Sequence, residues 1–161
     1  MPRPALQKRL LAALAAAVAA GAALAGPAAP AHAAGEDLQV RLHLCTTFVN
    51  TTTCAQDYFL ASEPIPADVP FRRDFFVIHR PNTVVQSNFN VQIFRNATGG
   101  PVIARTKSVL LVDQQTGATL ATKAGPQVPL AANVQASNTV TVSETSKPSQ
   151  ASGTFQITWH K

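Results

Sequence analysis

From position 37 onward, hydrophobic and polar residues alternate in short runs separated by Pro, Gly, Asn and Thr. In Asp37–Cys45 (DLQVRLHLC), Leu38, Val40, Leu42 and Leu44 share one parity, and Gln39, Arg41 and His43 the other. That period of two predicts a strand with one dry face. Cys45 falls on the polar side unless a bulge shifts the phase. Ala34–Glu36 is expected to be a loose lead-in, Thr46–Thr53 a polar loop, and Ala55–Ala61 a short returning strand. Phe71–Asn96 predicts two strands joined by a turn at Arg80-Pro81-Asn82-Thr83. It carries five of the eight phenylalanines, so the core is expected to nucleate there. In Asp74–Arg80, Phe75 and Val77 lie on one face and Phe76 and Ile78 on the other, which predicts a strand covered on both sides. In Val84–Asn96, Phe89, Val91 and Ile93 alternate with Asn88, Asn90 and Gln92.

The punctuation between these runs is equally informative. Pro64, Pro66 and Pro70 lack a backbone donor, so Ser62–Pro70 predicts an extended crossover or a sheet edge. Turns are expected at Asn96–Gly100 and Gln114–Gly117. Between them, Pro101–Asp113 predicts a long strand whose phase changes near Lys107. Ala118–Lys123 pairs back, and Gly125-Pro126 and Pro129 break the pattern. In the last hairpin, Val134, Ala136, Val140 and Val142 share one parity, while Phe155, Ile157 and Trp159 share one on the return strand. Ser143–Gly153 between them is expected to be a long flexible tip. Nothing after position 33 has helical periodicity. About eight short strands with frequent turns predict an all-β fold, an antiparallel two-sheet sandwich that is immunoglobulin-like in general architecture. The likeness is architectural only, because the Cys…Trp…Cys arrangement of immunoglobulin domains is absent. An eight-stranded up-and-down barrel is the alternative.

The first 33 residues read differently. Arg3, Lys8 and Arg9 precede an Ala/Leu run from Leu10 to Ala25, and a Gly/Pro/Ala stretch ends in Ala31-His32-Ala33. Charged, apolar and small-x-small segments in that order predict a secretory signal peptide over 1–33, of bacterial type, cleaved near Ala33. The run is short for a membrane span and is interrupted by Gly21 and Gly26. The remainder, 34–161, is expected to be a single β domain, secreted or in the cell envelope, with no membrane span after cleavage. There Cys45 and Cys54 are expected to form a disulfide, a short-loop staple of about 2–3 kcal/mol on the chain-entropy model.

Charge and chemistry change the picture mainly by exclusion. Three of the thirteen basic residues lie in the leader and none of the eight acidic ones do, so ten bases face eight acids, a net +2. That weak and scattered balance argues against nucleic acid as a partner. His43, His79 and His160 have no local metal-site spacing, so no metal is assigned. There is no nucleophile elbow, phosphate loop or cofactor fingerprint, so no catalytic residue and no cofactor are assigned. Any pair among Glu36, Asp37, Asp57, Glu63, Asp68, Asp74, Asp113 and Glu144 meets only if the fold brings it together. Trp159 shares the inward parity, and Tyr58 is the other residue suited to sugar stacking. Asn50-Thr51-Thr52 and Asn96-Ala97-Thr98 match the glycosylation pattern, by chance if the source is bacterial.

The expectation is therefore an exported, non-enzymatic binding, adhesion or envelope-structural module acting through loops or a sheet edge. Its partner is an unknown protein or a surface glycan. The candidate binding residues are Thr46, Phe48, Asn50 and Thr52 in one loop, and Ser143, Lys147 and Gln150 in the other. A small secreted hydrolase with an acid pair or a His–acid pair is the first alternative, and a small-ligand carrier in a barrel is the second. Cys45→Ala is expected to lower the melting temperature without abolishing the fold, as thermal unfolding followed by circular dichroism would read out.

Overall fold

A computed structural model describes residues 35–161; the expected signal peptide lies outside them. The described chain is all-β, with ten strands: β1 (Glu36–Phe48), β2 (Thr51–Cys54), β3 (Tyr58–Ile65), β4 (Phe71–His79), β5 (Val85–Arg95), β6 (Val102–Asp113), β7 (Thr119–Lys123), β8 (Gln127–Leu130), β9 (Gln135–Glu144) and β10 (Ser149–His160). Among the described residues no helix is long and apolar enough to cross a membrane.

The strands form two antiparallel sheets, a sandwich rather than a closed barrel. The first sheet runs β2-β1-β10-β9, and β3 joins β1 beside β2. The second runs β4-β5-β6-β7, and β8 joins β6 beside β7. Each sheet therefore has one edge assembled from two short strands and one unbroken edge, β9 in the first sheet and β4 in the second. The chain crosses between sheets at Pro66–Pro70, where three prolines had predicted a crossover, although Pro64 itself lies in β3.

The alternation read from the sequence fills the space between the sheets. Leu38, Val40, Leu42 and Leu44 of β1 meet Phe89, Val91 and Ile93 of β5, with Phe155, Ile157 and Trp159 of β10 beside them. In β6 the buried positions change from Val102, Ala104 and Thr106 to Val109, Leu111 and Asp113. The phase changes at Lys107, an extra residue opposite the Asn90–Val91 step. At Gly153 of β10 the Phe89 ring lies so close that an added Cβ would stand 2.6 Å from it. This glycine is thus a packing residue, not part of a loop tip.

Several expectations are corrected. Thr46–Thr53 is not a loop. Both strands run on to a two-residue turn, Val49-Asn50, with positive φ at both residues, and β1 and β2 pair from Phe48↔Thr51 to Cys45↔Cys54. Ser143–Gly153 is not a long tip either. Ladder pairing continues to Glu144↔Ser149, so only Thr145–Pro148 turns. The short strand expected at Ala55–Ala61 begins at Tyr58 and ends at Ile65. Pro129 is accommodated within β8, which uses an edge position. Val134 is exposed and precedes β9. β4 is not covered on both faces: Phe75 is buried, but Phe76 and Ile78 face solvent. Apolar residues on both faces cannot distinguish a central strand from an edge strand with an exposed apolar side.

The largest departure lies at Glu36, which was expected to be loose. It opens β1 on the inward parity and is buried. Its Oε2 accepts from Arg95 Nη2 at 2.6 Å and from Trp159 Nε1 at 3.0 Å. Arg95 ends β5 on the inward parity, and its side chain is wholly buried. Its Nε donates to Gly100 O and its Nη1 to Pro66 O, each at 3.1 Å. Phe71 and Trp159 flank the guanidinium at 5.7 and 5.6 Å. Removing one partner of such a pair leaves an uncompensated buried charge, so Glu36→Ala or Arg95→Ala is expected to lose about 3–5 kcal/mol in denaturant unfolding. Lys161→Met, which breaks the exposed Lys161–Asp68 pair, should lose no more than about 1 kcal/mol.

Candidate functional site

The outward positions of β1 are Gln39, Arg41, His43 and Cys45. On β10 they stand opposite Thr158, Gln156, Thr154 and Ser152. Arg41, His43, Thr154 and Gln156 line a shallow depression of about 310 Å³, and Asp57 closes it. Asp57 lies between β2 and β3. Its carboxylate accepts from Arg41 through Nε at 2.9 Å and through Nη2, and it holds His43 at Nδ1. These contacts, His43 first and Arg41 second, hold its pKa below the usual carboxylate value. The other ring nitrogen of His43, Nε2, lies 3.0 Å from Cys45 Sγ, and Cys45 is bonded to Cys54. The row therefore runs Arg41, Asp57, His43, Cys45, Cys54 across three neighbouring chain segments.

Sequence reasoning named Asp57 only as one acid of eight. Carrying the Cys45↔Cys54 register onward would place position 57 opposite the inward Leu42, whereas the structure pairs Leu42 with Tyr58, so cysteine spacing carried no signal for Asp57. The ligand atoms of His43, Cys45 and Cys54 lie within 4.8 Å of one another, but both sulfurs are committed to the disulfide. The row holds a base with an oriented second nitrogen but no free nucleophile while that bond is intact.

The candidate loop residues occupy one end of the sandwich, and the two tips meet: Val49 N donates to Pro148 O at 3.1 Å. Most of them are engaged in holding the fold. Thr46 is buried and hydrogen-bonded to Ser87 of the opposite sheet. Phe48 is half-buried at the end of β1, and Asn50 is the exposed second residue of the turn. Thr52 is bonded to Thr47 across the hairpin, and Gln150 donates to Ser143 across the next one. Lys147 pairs with the buried Asp113 of β6. Each of the eight acids has its own partner. Glu63 takes Arg73, Asp74 takes Lys107 rather than its neighbours Arg72 and Arg73, Asp37 takes Ser62, and Glu144 caps its own turn. Two of the acids also meet through backbone, Asp68 N–H donating to Glu36 Oε1 at 3.3 Å, beside the guanidinium of Arg95. Trp159 is buried in the core. Tyr58 is exposed beside Phe59, its ring 6.4 Å from that of Phe75.

Besides Phe59 of β3, an apolar exposure lies on the other sheet. β4 is hydrogen-bonded on one side only, to β5. Phe76 is 61% exposed and Ile78 is 43% exposed, on the same outer face. Comparison with protein-family models, with curated proteins and with solved structures finds no match to this chain.

The Asp113–Lys147 contact, together with the N–H groups of Gln115 and Thr116, lowers the Asp113 pKa from 3.8 to about 2. Between those values the folded protein binds fewer protons than the unfolded chain. The stability this group contributes is therefore present above pH 3.8 and is lost as pH falls toward 2. In denaturant unfolding from pH 5 to about pH 2, Lys147→Met is expected to flatten that loss, because the pKa of Asp113 moves back toward its ordinary value.

Proposed function

We propose that the protein is an exported, non-enzymatic binding module that takes up an extended segment of a partner protein along β4. The observation that carries this reading is the strand itself. It is nine residues long, hydrogen-bonded on one side, free of proline, and carries Phe76 and Ile78 two positions apart on its outer face. An added strand draws affinity from main-chain hydrogen bonds and selectivity from alternate side chains, and β4 offers both. Edges of this kind are normally blunted by charge, proline or cover. Here Arg72 and Asp74 share the outer face with the apolar pair, while Phe76 and Ile78 themselves are exposed.

Export rests on the Met1–Ala33 pattern, and a disulfide fits an oxidising compartment. The immunoglobulin-like architecture belongs to the same reading, since such sandwiches present their edges and end loops to partners. A partner protein is favoured over a surface glycan because Trp159 is in the core. The carrier alternative needs a barrel cavity, and here the inner faces are filled by side chains. For the hydrolase alternative, His43 and Asp57 do meet, but with a disulfide beside them instead of a nucleophile.

Selection of random peptides against the immobilised protein tests the reading. Enriched peptides should carry apolar residues at alternate positions and slow hydrogen exchange at the β4 amides. Phe76→Lys combined with Ile78→Lys should abolish their binding while changing stability by less than about 1 kcal/mol, as for exposed sites. Peptides that bind the double variant equally well, or that protect the tips at Val49-Asn50 and Thr145–Pro148 instead, would refute it.

A further inference from the structure

We infer that Cys45–Cys54 is a thiol–disulfide exchange site, with small thiols and dithiols as its substrate class and His43 as the group that serves the departing sulfur. The inference is independent of what β4 binds. It starts from position. The disulfide joins β1 to β2 at the outer surface of the first sheet, and Cys54 is exposed while Cys45 is half-buried. A buried structural bridge would be closed to an attacking thiolate, and this one is open at Cys54.

The second observation is asymmetry. His43 Nε2 lies 3.0 Å from Cys45 Sγ, and Asp57 holds the other nitrogen, Nδ1. With Nδ1–H donated to the carboxylate, Nε2 is directed at sulfur. It delivers a proton there when the ring is doubly protonated and accepts the Cys45 thiol proton when the ring is neutral. The charged groups facing Cys45 are Arg41 and His43 of β1 and Asp57 beyond β2. β10 contributes only the uncharged Ser152, Thr154 and Gln156. Arg41 is bound to Asp57, which leaves the His43 ring as the ionisable group at the sulfur.

The reaction balances as ordinary exchange. A thiolate of the reductant attacks Cys54 Sγ and forms a mixed disulfide. The S–S electron pair leaves with Cys45 Sγ, which is stabilised or protonated by His43 Nε2–H. With a dithiol, the second thiolate then attacks the reductant's own sulfur and expels Cys54. The dithiol loses two electrons and two protons and becomes a disulfide, and the protein gains two thiols. A leaving thiol about two pH units more acidic departs on the order of tenfold faster.

Two measurements test this. Reduction of the intact protein by dithiothreitol at pH 7, read by alkylation and mass, should be on the order of tenfold slower in His43→Gln than in wild type. Mere loosening of the hairpin would accelerate reduction, so a slower rate cannot come from lost stability. In Cys54→Ser, the pH profile of Cys45 alkylation by iodoacetamide should have its midpoint at least about one unit below the ordinary thiol value of ~8.5. Cys54→Ser with His43→Gln should return the midpoint to that value. Equal or faster reduction of His43→Gln overturns the inference, and so does a Cys45 midpoint at or above ~8.5. The rate comparison requires no cysteine replacement and stands even if Cys54→Ser fails to fold.

Discussion

The ion pair between Glu36 and Arg95 constrains more of this fold than any other single contact. An arginine without accessible surface has to place its N–H groups on acceptors inside the protein. Here they reach the first residue of β1, the carbonyl of Gly100 after β5, and the carbonyl of Pro66 in the crossover between sheets. Trp159, near the end of β10, donates to the same carboxylate oxygen. Four distant parts of the chain are thereby referred to one guanidinium. Such a pair adds less net stability than its Coulomb attraction suggests, because both ions lose their water. Its stronger effect is on geometry, since an alternative register would strand a charge in the interior.

The same logic recurs at the other end of the sandwich in milder form. Along β1 the inward parity is apolar in the middle and polar at both ends, and on β5 Ser87 and Arg95 flank the inward Phe89, Val91 and Ile93. Thr46 and Ser87 meet across the gap as Glu36 and Arg95 do. Asp113, also inward, is matched by Lys147 from the turn between β9 and β10. Hydrophobic burial holds the sheets together, and polar pairs at the margins fix their relative position.

This arrangement explains which parts of the structure were legible in the sequence. Alternation of Leu38, Val40, Leu42 and Leu44 gave a strand with its dry face, and the break at Lys107 gave a bulge, because both depend on local period alone. Glu36 was misread because a charged residue beside a flexible lead-in resembles solvent-exposed text, and its partner lies 59 positions away. The polar runs Thr46–Thr53 and Ser143–Gly153 were read as loops because threonine and serine suit both turns and outward strand positions. β4 was read as covered because its apolar residues occupy both parities, whereas only the sheet order shows that one side is open. Of the site, the disulfide was legible from two cysteines in a chain whose first residues read as an export signal. The His43–Asp57 contact was not, since Asp57 lies between β2 and β3, where the pairing with β1 shifts by one residue.

One consequence lies in the order of assembly. The second sheet is contiguous in sequence, from Phe71 to Leu130, and its neighbouring strands are joined by short connections. The first sheet is not. Its central pair is β1 with β10, matched from Asp37↔His160 to Phe48↔Ser149. Closing that pair spans nearly the whole described chain, the kind of distant contact that slows folding. Until β10 arrives, β1 presents one unsatisfied flank and an unfinished apolar face. A chain that emerges amino end first therefore holds β1 in waiting, and β10, made after the whole second sheet, completes the interior that β1 began.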